Sequence, residues 1–163
     1  MTRGAWLSPV RLVNSTLLGT TVHIATEYDG GTPIVTMSLS LQTEHLEKRG
    51  VMNVYRCVFG FNGVWHEPDN IDNVAFTITC SMGITVAIPD SAFESDFPAE
   101  RINRVVDASA VSLVYGKVRC FIEDMTAQSS VGRQVIPAID PYALLDSLEE
   151  KASTEGKTEP DLE

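Results

Sequence analysis

A chain of 163 residues with 44% hydrophobic side chains holds the material for one domain with one core, and wholesale disorder is excluded. Its 22 acidic and 12 basic residues leave a formal net charge of −10. A surface of that sign repels phosphate backbones, which excludes free nucleic acid as a partner and favours basic protein partners.

In chain order, the first two-thirds reads with period two. Val10 to Ala25 is rich in Val, Leu, Ile and Thr and predicts a first strand. Past the turn signal Asp29-Gly30-Gly31, Val35, Met37, Leu39 and Leu41 alternate with Thr36, Ser38 and Ser40. Glu44-His45-Leu46-Glu47 reads as a solvated helical turn or loop. Tyr55, Cys57, Phe59 and Phe61 alternate with Arg56, Val58 and Gly60; Asn62-Gly63 then predicts a turn, and His66 to Asn73 a longer loop. Val74, Phe76, Ile78, Cys80 and Met82 form a third alternation, which Ile84, Val86 and Ile88 extend as a further strand or as a hairpin return past Gly83. Such runs give each strand one apolar face, as in an antiparallel sheet covered on one side.

The period changes after Pro89. Asp96-Phe97-Pro98 predicts a helix start, and Ile102, Val106, Leu113, Val118, Ile122 and Met125 follow helical spacing, with a bend expected at Gly116. Ser129 to Pro137 reads as a connector. Asp140-Pro141 supplies an N-cap and first residue for a second helix striped by Leu144, Leu145 and Leu148. A single domain is expected over residues 1–151, followed by a disordered acidic tail over residues 152–163. Strands grouped before helices give the fold class α+β: an antiparallel sheet of four to five strands, a long helix, and a shorter C-terminal helix.

Residues suited to catalysis are few. Cys57, Cys80 and Cys120 lie in apolar runs with no Cys-x-x-Cys, which predicts buried, reduced thiols. His23, His45 and His66 are the only histidines, and His66 is the one with clustered carboxylates, Glu67, Asp69 and Asp72, without a recognised metal spacing. No active site, metal or cofactor is expected, and the chain is expected to act by binding rather than as an enzyme. The segment MTRGAWLSPVRL is too polar for a signal peptide and no apolar run is long enough to span a bilayer, so a cytoplasmic protein without membrane insertion is expected.

Two short runs are more specific than composition. Tyr115-Gly116-Lys117-Val118-Arg119-Cys120-Phe121-Ile122 on the first helix, followed by Ile136-Pro137-Ala138-Ile139-Asp140-Pro141-Tyr142-Ala143-Leu144, resembles the signature of SecB, the tetrameric protein-export chaperone. Arg119, Ile122, Pro137, Ile139, Asp140, Ala143 and Leu144 stand at matching positions. Gly116 replaces the family's proline, and Cys120 the glutamate that usually follows the arginine. The crossover segment is short, about Thr26 to Thr32. Thr21 to Ala25 carries none of the acids with which the family docks on the SecA motor.

The resemblance implies a chaperone that binds unfolded polypeptide clients in apolar grooves and assembles as a homo-oligomer, a dimer of dimers. It would serve protein export or one dedicated client such as a toxin–antitoxin partner. Tyr28, Trp65, Val135, Ile136 and Tyr142 are the candidate groove residues. The alternative is a structural or assembly module, for example from a phage or mobile element, that binds a folded partner with the same scaffold.

Overall fold

The computed structural model describes residues 10–92 and 98–155. Four strands, β1 (Arg11–Ile24), β2 (Ile34–Arg49), β3 (Met52–Glu67) and β4 (Asn70–Pro89), precede two helices, α1 (Ala99–Ala127) and α2 (Pro141–Glu155). The strands form one antiparallel sheet in the order β1-β4-β3-β2. This is the expected α+β architecture with four strands. The helix start expected at Asp96 and Phe97 lies outside the described residues; Pro98 stands at the N-cap, where its carbonyl accepts the first bonds, from Arg101 and Ile102.

Several local expectations give way to the sheet. Asn62-Gly63 is not a turn but the middle of β3, paired with Ser38 and Met37 on one side and Thr79 and Ile78 on the other. Ladder bonds on both flanks of a central strand outweigh the local turn preference. Gly63 is needed there for another reason: a Cβ would lie 2.6 Å from Trp65 Cζ3 and 2.8 Å from Phe61 Cζ, so the two rings close over the gap it leaves. Glu44 to Glu47 belongs to β2 rather than to a helical turn, held by the pairing of Glu44 with Arg56 and His45 with Tyr55. The loop expected over His66 to Asn73 shrinks to a tight turn at Pro68-Asp69, and Ile84 to Ile88 simply continues β4 past Gly83. The β2–β3 turn is at Gly50, whose φ of 62° is the left-handed conformation glycine adopts without a Cβ penalty.

β1 and β2 occupy opposite edges, so residues 25–33 cross the end of the sheet. Asn73 Nδ2 pins that crossing to the β3–β4 turn, donating to Asp29 Oδ1 (3.2 Å) and Glu67 Oε2 (3.0 Å). One sheet face carries the apolar residues of the alternating runs, and α1 lies across it. Phe59, Phe61, Phe76, Ile78, Ile84 and Val86 meet Val106, Ala110, Val114, Val118 and Ile122 in one core. Phe59 meets Tyr115 edge to face at 6.1 Å, and Trp65 stacks on Phe76 at 4.5 Å.

α1 runs unbroken through Gly116. The N-cap expected at Asp140 is formed: its Oδ1 accepts from the backbone N–H of Tyr142 (2.9 Å) and Ala143 (3.3 Å). Leu145, with Leu144 beside it, packs against Ala108 and Val111 of α1. α2 continues to Glu155, past the boundary expected at residue 151, since nothing from Ala152 to Glu155 breaks a helix; residues 156–163 of the expected tail lie outside the described residues. Asp140→Ala is expected to lower stability by about 1 kcal/mol, the usual cost of a lost N-cap, read as a shift in the urea midpoint with an unchanged slope.

Candidate functional site

The surface features with most to offer a partner are apolar. β1 is an edge strand of 14 residues with a single formally charged side chain, Arg11. Leu12, Leu17, Val22 and Ile24 pair with the core residues Val86, Met82, Ile78 and Phe76 and therefore point to the same sheet face as the core. They nevertheless remain 37–42% exposed. Register shifts place Val13 and Leu18 at irregularities of the strand, both more exposed still, and Leu18 leans over the space above Gly83. Between β1 and α1 opens a groove of about 650 Å³, lined by Leu17 and Met82 on the sheet and by Leu113, Gly116, Lys117 and Cys120 on the helix.

At the opposite edge, Tyr115 ties the connector to β2. Its hydroxyl donates to the Pro137 carbonyl at 2.6 Å and lies 3.9 Å from Met37 Sδ. Thr126 fixes the start of the connector, accepting from the Gln134 backbone N–H at 2.9 Å while donating to the Ile122 carbonyl at 2.7 Å. Val35, Met37, Leu39 and Leu41 are half-buried along this side, and Ile34, Val135 and Tyr142 are exposed.

The five groove residues expected from the sequence therefore divide. Val135 and Tyr142 are on the surface, 60% and 49% exposed. Trp65 and Ile136 are closed into the core and present no surface in this conformation. Tyr28 sits half-buried on the crossing segment, its hydroxyl donating to the Gly31 carbonyl at 3.0 Å. The motif residues assemble the junction of the two helices: Ile122 is fully buried, Ile139 and Leu144 pack on the core, Pro137 receives Tyr115, and Asp140 caps α2. Ala143 is exposed, and Arg119 is half-buried with its Nε lacking a partner. What period two did not foretell is the exposure of β1. Its signal lay in the adjacent apolar pairs Leu12-Val13 and Leu17-Leu18, which place apolar side chains on both sides of a strand.

His66, Cys57 and Cys80 have structural occupations. His66 is buried, with Nδ1 donating to the Glu67 carbonyl and Nε2 meeting the Thr36 hydroxyl, both at 2.8 Å. Burial pushes the thiols of Cys57 and Cys80 up to about 11. Cys120, expected to be buried, is exposed, because it lies on the side of α1 that lines the open groove beside β1. A thiolate reagent at pH 8 is thus expected to label one of the three cysteines in the native protein and all three in denaturant.

A four-stranded antiparallel sheet followed by a long and a shorter helix, laid out in this way, is a SecB-like α+β fold. Among solved structures the chain is similar to the Mycobacterium tuberculosis Rv1957 SecB-like chaperone, in complex with a ChAD peptide from the Rv1956 HigA1 antitoxin. The TM-score is 0.56 at 11% identity over 80% of this chain and 90% of that one. It is also similar to a protein of unknown function from Streptococcus agalactiae, at TM-score 0.47 and 12% identity over 80% of this chain and 97% of that one. No protein-family model and no curated protein matches the sequence. Among the described residues no helix is long and apolar enough to cross a membrane.

Proposed function

We propose that this chain is a chaperone-like polypeptide-binding protein that works by holding non-native segments and not by catalysis. The observation that carries the reading is the exposed apolar edge. Natural edge strands are usually blunted by charge or proline, whereas β1 shows six large aliphatic side chains between 37% and 58% exposed. Edge-to-edge pairing with β1 of a second copy satisfies its free backbone groups and covers these side chains, in keeping with a homo-oligomer. The other edge then remains for clients, with Ile34, Val135 and Tyr142 as adaptable apolar contacts along the β2 and connector side.

The SecB-like neighbour with its antitoxin peptide supports a polypeptide as the ligand and makes one dedicated client a natural specialisation. Docking on the SecA motor is no part of the proposal, since Thr21 to Ile24 carries no acid. The test is suppression of aggregation of a heat-unfolded model enzyme. Light scattering by the enzyme is expected to fall in proportion to added chain and to be abolished near stoichiometry. Undiminished aggregation at a several-fold excess contradicts the reading. So does recovery of one folded partner with no preference for unfolded chains.

A further inference from the structure

Near the N-terminal end of α1, a pocket of about 210 Å³ opens between the helix and the sheet edge. Thr43 and His45 of β2, Tyr55 of β3, and Asn103, Val106 and Asp107 of α1 line it. At that size it falls below the usual range for a drug-sized ligand or cofactor and suits a single long side chain.

Its chemistry is specific. Asp107 Oδ1 is buried and has no hydrogen-bond partner. Arg104, one turn earlier on the same helix, is committed to α2 instead, to Asp146 and, at 3.1 Å, to Glu149. A buried carboxylate oxygen without a donor is costly, and the fold tolerates it here beside an open cavity. Burial raises the Asp107 carboxyl; the nearby Thr43 hydroxyl, directed to Cys57 Sγ and leaving Oδ1 open, partly opposes the rise, and the charge of Glu149 adds to it.

The surroundings decide what the pocket would take. Asp107 also lines the adjoining cleft between the helices with Glu100 and Glu149, faced by Arg101 and by Arg104. Arg104 is spent on Asp146 and Glu149, so the acids still outweigh the bases and the field disfavours phosphate and carboxylate groups. An apolar guest would leave Oδ1 unsatisfied. His45 and Tyr55 present two rings edge to face, 5.0 Å apart, on the sheet side. A carboxylate opposite aromatic rings suits a planar cation, which donates in the plane of its N–H groups and stacks through its face.

We infer that the Asp107 pocket receives the guanidinium of an arginine side chain from the bound polypeptide. This rests on the polypeptide-binding reading and gives that binding a charge preference: segments mixing apolar residues with arginine would be held in preference to purely apolar ones.

The test begins with N-acetyl-arginine amide alone, titrated into the isotope-labelled full chain and followed by NMR. Saturable shifts are expected at His45, Tyr55, Asn103 and Asp107. Asp107→Asn should weaken them at least tenfold, and Tyr55→Leu should weaken them independently. The uncharged isostere N-acetyl-citrulline amide should produce none. Equal shifts with citrulline, or titrations unchanged in both variants, overturn the inference.

A 15-residue client peptide with one arginine, compared with its citrulline counterpart, forms the second arm, and the arginine peptide should bind about tenfold more tightly. If neither peptide binds while the free amide still shifts the pocket, the polypeptide reading fails and the pocket stands. If both bind equally, the pocket assignment fails and the polypeptide reading stands.

Discussion

A chain carrying Leu17→Asp and Val22→Asp is expected to run as a 17.8 kDa monomer under conditions where the unaltered protein is an oligomer. Both side chains point to the core face of β1, opposite Met82 and Ile78, yet they are 41% and 42% exposed because α1 does not reach over them. In the separate chain each new carboxylate stays hydrated, so folding costs little. In an assembly closed over β1, each would be taken from water without a partner, at a cost of several kcal/mol per ion. Each chain brings two such charges, so a β1-to-β1 interface holds four, which suffices to abolish association at micromolar concentration. Far-UV circular dichroism should be unchanged, which separates lost assembly from lost folding. Persistence of the oligomer would place the subunit interface elsewhere.

Phe59→Ala is expected to cost about 3–5 kcal/mol, as for a large core aromatic replaced by alanine. Phe59 is fully buried on β3, a central strand, and meets Tyr115 edge to face across the sheet–helix interface. The loss opens a cavity where α1 crosses the sheet. It also frees Tyr115, which holds the connector through Pro137. Against the 5–15 kcal/mol of a typical domain this is a large fraction, and the variant should populate unfolded chain well below the normal melting range. Equilibrium urea unfolding gives the figure. Val13→Ala, at an exposed position, is the control and should stay within about 0.5 kcal/mol.

Asp107 adds a pH dependence whose sign follows from its raised carboxyl. The folded chain holds that proton more tightly than the unfolded chain, so the residue costs nothing in acid. It destabilises progressively as pH rises from the unfolded to the folded value. Asp107→Asn should therefore melt higher than the unaltered chain at neutral pH and no differently in acid.

The residues that announced the fold are those whose period matched one buried face. Val35 to Leu41, Tyr55 to Phe61 and Val74 to Met82 alternate because α1 covers one side of the sheet, and the Asp140-Pro141 start of α2 was legible because capping is local chemistry. Asn62-Gly63 misled because a turn preference is also local, while its strand state is set by neighbours distant in sequence on β2 and β4. Glu44 to Glu47 misled in the same way, its charges belonging to the end of an edge strand.

The candidate site was less legible. Trp65 and Ile136 look from composition like adaptable contacts, but only packing shows that the stack on Phe76 and the core seal them. Asp107 stands between the buried Val106 and Ala108 in an amphipathic helix. Nothing in the sequence sets it apart from the other charges of α1, and its unpaired oxygen becomes visible only when β2 and β3 are brought against it.

The most direct test of the central claim is the mass of the particle formed with a permanently unfolded client, measured by size-exclusion chromatography with light scattering. A discrete oligomer that gains the mass of one or more client chains, and releases none during elution, is the expected result. A 17.8 kDa particle eluting apart from the client would contradict it.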